Sequence, residues 1–319
     1  MHEGKIIFGP VPSRRLGRSL GINNIPPKIC SYSCLYCQVG RTETMQIARQ
    51  PFYDPGTICK EVKRKIEEVA AIGETIDFLT LVPDGEPTLD INLGRTIDLL
   101  RPLGIRIAVI SNGSLLGQEG VMDELSRADW VSLKVDSVKK ESWRRINRPH
   151  HDLDLPRIHE AMLQFAERYT GRLVSETMLV AGINDSPEDI SQVADFLARL
   201  KPATAYLSIP TRPPAEARVH PPTADHLNRA YQIVSRQIDD VECLFGDEGS
   251  AFSLTGDLEE ELFSILAVHP MQEEAVHRFL AKGGEKWTLI DTLIAQGRLL
   301  VADYEGKRFY LPSLQKRDG

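Results

Sequence analysis

The chain has 319 residues, a formal net charge of −7 at pH 7 and a sequence pI of 5.7. Its length is sufficient for one large domain and one small one. It contains no apolar run of about 18 residues that would predict a membrane span, and its N-terminus lacks the pattern of a signal peptide. We therefore expect a cytoplasmic protein. The acidic balance disfavours a broad nucleic-acid interface, although the basic stretch Arg14–Arg18 leaves nucleic acid open as a partner.

Helix-like and strand-like segments alternate along most of the chain. The predicted strands are 20–25, 76–82, 105–110, 130–135, 172–179 and 203–209. The predicted helices are 58–71, 89–103, 118–127, 155–169 and 186–200. Strict alternation predicts a parallel sheet, and no Gly-x-Gly-x-x-Gly follows the first strand. We therefore expect an α/β fold, a partial (β/α)6 barrel rather than a dinucleotide-binding sheet.

A proline-rich segment directly follows the last predicted strand. Five prolines lie within residues 210–222, so this stretch cannot join the sheet. Active sites of barrels lie at the carboxyl ends of the strands. The segment is therefore either a rigid surface loop or a lid that carries Arg212 or Arg218 toward an anionic substrate.

The pattern changes near residue 250, which predicts a barrel domain over residues 1–250 and a small domain over residues 251–319. Three predicted helices and a two-stranded hairpin give the small domain a winged-helix-like outline. The helices are 258–268, 271–281 and 287–295, and the strands are 298–302 and 307–311. Acids outnumber bases in this segment, so we expect a protein- or peptide-docking module or a structural cap rather than a DNA-binding domain.

Three of the five cysteines, Cys30, Cys34 and Cys37, lie within eight residues. An odd cysteine count in a reducing compartment favours metal binding over disulfides. Thiolates are the usual ligands of iron–sulfur clusters, and three of them leave one iron of a four-iron cluster open to a substrate. A structural zinc site would usually need a second pair of ligands, and no second Cys-x-x-Cys follows.

The Cys-x-x-x-Cys-x-x-Cys spacing, with Tyr36 before the last cysteine, resembles the signature of the radical S-adenosylmethionine (SAM) superfamily. The resemblance implies a [4Fe–4S] cluster on the three cysteines, SAM on the open iron and a low-potential, flavodoxin- or ferredoxin-like electron donor. It also implies reductive cleavage of SAM to a 5′-deoxyadenosyl radical, which abstracts hydrogen from a substrate. Residues 9–21 and 38–42 resemble the wyosine-biosynthesis-like Fe–S oxidoreductases, although no cysteine precedes Cys30.

Two further segments resemble SAM-binding motifs of this superfamily. The segment Asp84–Thr88 is similar to its Gly-Gly-Glu-Pro motif, which implies contacts with the SAM amino group. The segment Ser111–Gly113 is similar to its Thr-Asn-Gly motif, which implies contacts with the SAM carboxylate and ribose. Lys134 and Asp136 end the fourth strand, where a ribose- or carboxylate-binding residue often lies. The cofactor-binding candidates are Tyr36, Gly85, Glu86, Ser111, Asn112 and Asp136.

Several other residues are weaker candidates. Glu176 on the fifth predicted strand would bind substrate or pair with a base, because a buried carboxylate needs a partner. Cys59 is expected to pack as a small apolar residue, and Cys243 is either structural or a radical-quenching thiol. Candidate substrate or SAM-carboxylate contacts are Arg14, Arg15, Arg18 and Arg41, and His150 and His151 lie in a loop that faces the active site or solvent.

Three functions remain open from the sequence. The favoured one is modification of a nucleobase or small metabolite inside the barrel. The second is modification of a peptide or protein that the C-terminal domain recruits. The third is a non-catalytic iron–sulfur or zinc regulator, which would need a basic recognition helix that residues 271–280 do not supply.

Overall fold

A curved sheet of eight strands lies at the centre of the computed structural model, which describes residues 5–244, 252, 254 and 256–313, without the side chains of residues 267 and 268. The strands are β1 (Ile7–Ser13), β2 (Gly17–Ile22), β3 (Ile29–Cys30), β4 (Thr44–Met45), β5 (Phe78–Leu81), β6 (Arg106–Ser111), β7 (Trp130–Lys134), β8 (Arg172–Met178), β9 (Thr204–Ser208), β10 (Val241–Leu244), β11 (Met271–Gln272), β12 (Leu299–Tyr304) and β13 (Lys307–Pro312). The helices are α1 (Pro55–Ala71), α2 (Leu93–Leu100), α3 (Val121–Leu125), α4 (Lys140–Asn147), α5 (Leu155–Arg168), α6 (Pro187–Leu200), α7 (Ala224–Val234), α8 (Leu258–Val268), α9 (Glu273–Lys282) and α10 (Thr288–Ala295). Within the described ranges, no helix combines the length and the apolar character needed to cross a membrane.

The large sheet has the strand order β1-β2-β5-β6-β7-β8-β9-β10. Strand β1 runs antiparallel to β2, whereas every other neighbouring pair is parallel. All six predicted strands are present and adjacent, so the predicted partial barrel is confirmed. Strands β1 and β10 extend the sheet at its two edges.

The predicted helix 89–103 is divided into three pieces. A 3₁₀ turn at Pro87–Leu89 precedes α2, and a second 3₁₀ turn follows at Arg101–Leu103. Gly104 ends this last turn with a φ of 71°, as its predicted capping role requires. The division follows from the two prolines, which have no backbone N–H to continue an α-helix.

Other helix boundaries also differ from the sequence prediction. The predicted helix 118–127 is reduced to the five residues of α3. The predicted helix 271–281 begins at Glu273, because Met271 and Gln272 pair with β13 as strand β11. Helices α4 and α7 were not predicted, although Thr223 caps α7 by accepting a hydrogen bond from the His226 backbone N–H.

Both faces of the central parallel strands β5, β6, β7, β8 and β9 are largely buried, as expected for strands covered on both sides. Leu79 and Val131 point to the face covered by helices. Phe78 and Trp130, one residue earlier on the same strands, point into the concave interior. Leu16, from the turn between β1 and β2, packs into this interior cluster, so the β1–β2 turn fills the amino-terminal end of the barrel.

The C-terminal helices and the small sheet β11-β13-β12 surround a second apolar core. Val11 of β1 packs against this core. The Lys65 ammonium of α1 contacts the Glu261 carboxylate of α8 at 2.5 Å, and each side chain is only 10% exposed. The three helices and the hairpin occur in the predicted order, but the winged-helix designation stays a prediction. The boundary at residue 250 also stays a prediction, and residues 245–251 lie outside the described residues.

His159 on α5 makes part of the stability of the chain dependent on pH. Its ring lies 4.5 Å from the Phe196 ring, and burial, together with the Arg199 guanidinium, lowers its pKa from 6.5 to about 4. Between these two pH values the unfolded chain binds more protons than the folded chain, so acid favours unfolding. Acidification from pH 7 to pH 5 should therefore lower the Tm of the parent more than that of His159→Phe, measured by circular dichroism. Equal shifts would contradict this assignment.

Candidate active site

The three candidate ligands lie on one loop at the carboxyl end of the parallel strands. Cys30 ends β3, and Ile29 forms a parallel bridge with Gly85, four residues beyond the end of β5. The loop then turns back, because the Cys37 backbone N–H donates to the Cys34 carbonyl at 3.2 Å. All three cysteines are partly exposed. In addition to burial, the charges of Cys34 and Cys37 act on Cys30 and raise its pKa, so the predicted ligands lie near one another on this loop.

The surroundings of these three thiols disfavour their ionisation. Burial raises the pKa of Cys34 to about 12, and the negative charges of Asp136 and Cys37 contribute. Burial also raises the pKa of Cys30 and of Cys37. Three ionised sulfurs at this position therefore need a cationic centre to compensate for their burial and mutual repulsion. The donor set fits an iron–sulfur cluster on these grounds.

Two asparagine side chains donate to sulfur atoms of the cysteine loop. Asn112, directly after β6, donates from Nδ2 to Cys30 Sγ at 3.7 Å and to Ser31 Oγ at 2.9 Å. Asn147, the last residue of α4, donates from Nδ2 to Cys34 Sγ at 3.4 Å. Hydrogen bonds to the sulfurs are one way in which a protein tunes such a cluster. The role of Asn147 was not predicted, because its helix was not predicted.

Glu86 joins the ends of two neighbouring strands. Its carboxylate accepts hydrogen bonds from the Ser111 hydroxyl at 2.7 Å and from the Asn112 backbone N–H at 2.8 Å. Thr88 donates to it from both its backbone N–H and its hydroxyl. Burial raises the pKa of Glu86, and these four donors oppose that effect. The carboxylate therefore holds β5 and β6 in register, and contact with the SAM amino group stays a prediction.

Asp84 stands where the resembled motif has its first glycine. Its carboxylate lies 3.6 Å from the Lys28 ammonium. Burial raises the pKa of Asp84 to about 6, although the positive charge of Lys28 opposes this. The aspartate that replaces the first glycine of the motif thus forms an ion pair with Lys28 beside the cysteine loop.

Gly85 is the position where the cysteine loop approaches the sheet most closely. A Cβ atom there would lie 1.9 Å from the Ile29 carbonyl oxygen, and backbone cannot yield as a side chain can. We expect Gly85→Ala to displace β3 and to lower iron incorporation severalfold, measured as iron per chain after anaerobic reconstitution. Gly117→Ala is the matched control, because its Cβ would meet only Ala161 Cβ at 3.8 Å. Full iron incorporation in Gly85→Ala would contradict the prediction.

Asp136 ties the cysteine loop to the sheet. Its Oδ2 accepts hydrogen bonds from the Tyr36 hydroxyl and from Asn147 Nδ2, the latter at 2.7 Å. Its Oδ1 accepts from the Met178 backbone N–H at 2.9 Å. Both oxygens are thus used within the protein. The structure places Tyr36 and Asp136 together beside Cys34, and their proposed contact with SAM stays a prediction.

A buried ion cluster occupies the barrel interior below the loop. Glu176 accepts from Lys134 Nζ at 2.9 Å and from an Arg15 guanidinium nitrogen at 2.5 Å. Burial alone would raise the pKa of Glu176, but the charges of Lys134 and Arg15 outweigh burial and lower the pKa to about 2. The Lys134 ammonium also lies 5.1 Å from the centre of the Tyr36 ring. The cluster therefore brings one carboxylate and two cations close to the cysteine loop.

The other predicted arginines do not join this ion cluster. Arg14 lies in the β1–β2 turn, next to Arg15. Arg18 pairs with Glu74 at the amino-terminal end of the sheet. Arg41 is 68% exposed and contacts Glu216 at 2.7 Å.

The remaining candidates are two histidines that follow α4 and two cysteines outside the loop. His150 donates its backbone N–H to the Ser31 carbonyl at 2.9 Å, whereas the His151 side chain is 83% exposed. Cys59 is buried on α1 and donates to the Leu99 carbonyl at 3.4 Å. Burial raises the pKa of Cys243, which lies on β10.

The proline-rich segment lies against the cysteine loop. Arg212 donates to Gln38 Oε1 at 2.7 Å, one residue beyond Cys37. The Glu216 backbone N–H donates to the Leu35 carbonyl at 3.2 Å, and Val219 is buried with Leu35. Arg218, by contrast, is exposed. A cavity of about 240 Å³ lies between this segment and the C-terminal residues.

The family model of the radical SAM superfamily matches residues 24–197, which is more than half of the chain. The chain therefore belongs to the radical SAM superfamily. It is 44% identical to a UPF0026 protein of Methanocaldococcus jannaschii over 98% of both chains. Enzymes of this superfamily bind a [4Fe–4S] cluster and SAM and need a reductant. The predicted enzyme class and cofactors are thus confirmed, which argues against a non-catalytic regulator.

Solved structures share the fold at low sequence identity. A radical SAM methyltransferase of Sphaerobacter thermophilus matches with a TM-score of 0.52 and 17% identity, over 70% of this chain and 65% of the other. TYW1 with a lysine–pyruvate adduct bound matches with a TM-score of 0.50 and 17% identity, over 69% of this chain and 74% of the other. These likenesses concern the fold alone.

Proposed function

We propose that this enzyme cleaves SAM reductively at a [4Fe–4S] cluster held by Cys30, Cys34 and Cys37, and then abstracts hydrogen from a nucleobase or small metabolite. The observation that carries the proposal is the cysteine loop itself. Three thiols with raised pKa values lie at the mouth of a partial barrel, and asparagine N–H groups face two of the sulfurs. No fourth cysteine follows within the loop, which leaves one cluster position for SAM.

When bound, the cluster supplies one electron to SAM, which splits into methionine and a 5′-deoxyadenosyl radical. The chain's own residues bind and orient the reactants. Gly85 leaves room for the Ile29 backbone and so positions the cysteine loop on the sheet. Lys134 offers a cation for a carboxylate near the loop. Burial would lower the pKa of Lys134, but the charges of Glu176 and Asp136 outweigh burial and raise it, so the side chain remains a cation.

A small substrate is supported by the cavity beside the proline-rich segment. Its volume of about 240 Å³ can hold a small molecule, and its lining residue Arg212 donates to Gln38, which follows Cys37. Its lining combines apolar side chains with three cations and the two carboxylates Glu274 and Glu305, which suits a compact molecule that carries polar groups. Representative lining residues are Pro210, Met271, Arg278, Lys307 and Phe309.

The alternative is modification of a peptide that the C-terminal residues recruit. It is favoured by Leu300 and Val301, which are 48% and 42% exposed on β12 at the edge of the small sheet. An edge strand of this kind can pair with an extended peptide. The two functions require different surfaces: turnover of a small substrate needs the cavity, whereas turnover of a peptide needs the edge of β12.

The first test is anaerobic reconstitution with iron and sulfide, followed by dithionite reduction in the presence of SAM. We expect 5′-deoxyadenosine and methionine in the chromatogram. A reconstituted cluster that leaves SAM intact under these conditions, including after addition of a cell metabolite extract, would overturn the proposal.

A cavity-filling variant separates the two substrate classes. Ala275→Phe places a ring in the cavity, whereas Ala281→Phe adds the same ring to an exposed position of the same helix. For a small substrate, only Ala275→Phe should lower substrate-dependent turnover, while substrate-free SAM cleavage stays unchanged. If a Leu300→Glu/Val301→Glu variant loses turnover while Ala275→Phe keeps it, modification of a peptide is favoured.

A further inference from the structure

Helix α4 is the element that links the cysteine loop to one solvent-exposed face of the protein. The Leu35 backbone N–H donates to the Ile146 carbonyl at 2.9 Å, and Asn147 Nδ2 donates to Cys34 Sγ at 3.4 Å. One turn earlier, the Trp143 indole N–H donates to the Tyr32 hydroxyl at 3.2 Å. A single hydrogen bond thus separates this helix from a cluster ligand.

The outward face of α4 carries positive charge in a chain whose net charge is −7. Lys140, Arg144 and Arg145 are exposed on it, whereas Trp143 and Ile146 are buried. Within the described part of the chain, neither Lys140 nor Arg144 has a carboxylate partner. Glu141 is the single acid of the helix. Three bases against one acid give this face a local charge opposite to that of the whole molecule.

Neighbouring residues continue this positive face toward the cysteine loop. Arg148 directly follows α4 and contacts Glu216 at 2.8 Å, and Arg41 contacts the same carboxylate at 2.7 Å. The single carboxylate of Glu216 therefore pairs with two arginines, which leaves one positive charge in excess. Lys139, at the other end of the helix, pairs with two carboxylates, Glu188 and Asp189, so that end carries one negative charge in excess.

We propose that the exposed face of α4 is the docking surface for an acidic one-electron carrier protein that reduces the cluster. This inference rests on the proposed function, because only a cluster enzyme needs the electron. A negatively charged carrier would be steered to this face by charge, as in other transient redox encounters. Docking there would place the donor on the helix whose buried last residue, Asn147, contacts Cys34, so the electron would reach the cluster through α4. The carrier is oxidised by one electron and the cluster is reduced by one.

The test uses full-length reconstituted protein and a photoreduced acidic flavodoxin as the donor. Lys140→Glu/Arg144→Glu reverses two exposed charges on α4. Lys60→Glu/Lys63→Glu is the matched control, because these two lysines are exposed on α1, which follows β4 rather than β7. The readout is the bleaching of cluster absorbance in stopped-flow experiments at low and high salt.

We expect the α4 variant to reduce its cluster about tenfold more slowly than the parent at low salt, with the difference fading at high salt. The α1 variant should keep the parent rate. Equal slowing in both variants, or parent-like reduction in the α4 variant, would overturn the docking surface. If the α4 variant is reduced at the parent rate but binds RNA more weakly than the parent, the docking surface is also overturned. The face would then be assigned to nucleic acid.

Excess dithionite separates this proposal from the proposed function. After chemical reduction, the α4 variant should form 5′-deoxyadenosine at the parent rate, because only docking is affected. If the dithionite-reduced parent forms none, the proposed function fails. If the reduced parent forms it and the α4 variant is reduced normally by flavodoxin, only the docking surface fails.

Discussion

Replacing Cys34 with alanine is expected to abolish 5′-deoxyadenosine formation, to below about one thousandth of the parent rate. The remaining pair of sulfurs, Cys30 and Cys37, leaves a second corner of a four-iron cluster without a protein ligand. Asn147 would also lose its sulfur acceptor, although Asp136 would still accept from it. The measurement is product chromatography after reconstitution and dithionite reduction, with iron and sulfide content determined on the same sample.

Cys59→Ala is the control for this variant. Cys59 is buried on α1, and its sulfur only donates to the Leu99 carbonyl. Its replacement should cost about 1 kcal/mol of stability and leave iron content and product formation at parent levels. Product formation in Cys34→Ala, or equal losses in both variants, would contradict the assignment of the cluster ligand.

Replacing Glu176 with glutamine is expected to destabilise the folded chain by about 3 kcal/mol. The change removes the one carboxylate that contacts both Lys134 and Arg15, and leaves two cations facing each other in the barrel interior. Their side chains are only 15% and 18% exposed, so water cannot replace the lost carboxylate fully. Urea unfolding of the metal-free protein measures the effect. Glu242→Gln, an exposed change on β10, should alter stability by less than about 0.5 kcal/mol.

A double variant tests the electrostatic cause. Adding Arg15→Met to Glu176→Gln removes one of the two cations, so the double variant should be more stable than the sum of the two single losses predicts. The apolar chain of methionine can still pack between Trp130 and Tyr206, whose rings flank the Arg15 guanidinium. Additive losses would show that the three residues act independently, contrary to the proposed cluster.

The repeating part of the fold could be predicted from the sequence because short, mainly apolar strands alternate with amphipathic helices. Strand β1 was not among the predicted strands, because Pro10 and Pro12 interrupt its pattern. Among the described strands, it forms an edge strand paired with β2. Helix α4 escaped because it is eight residues long and buries Asn147, a polar residue, beside Trp143 and Ile146. Only two apolar residues, Trp143 and Ile146, mark its buried face, and two residues do not establish a helical period in a sequence.

The candidate site was predictable only where its residues follow one another in the chain. The cysteine spacing and the segment around Gly85 could be identified from the sequence, because each motif is local. The contacts of Asn147 with Cys34 and of Arg15 with Glu176 join residues 113 and 161 positions apart. Such pairs depend on the order of strands in the sheet, which spacing alone does not specify.

The supports of the cysteine loop have a consequence for biosynthesis. The loop is held by Glu86, Asn112, Asn147 and Glu216, all of which lie later in the chain. During translation the cysteines leave the ribosome first, and the last of these supports follows after roughly another 180 residues. The newly made loop must therefore remain reduced and without its final shape for much of synthesis. Cofactor insertion is thus expected to follow translation of the barrel rather than to guide its folding.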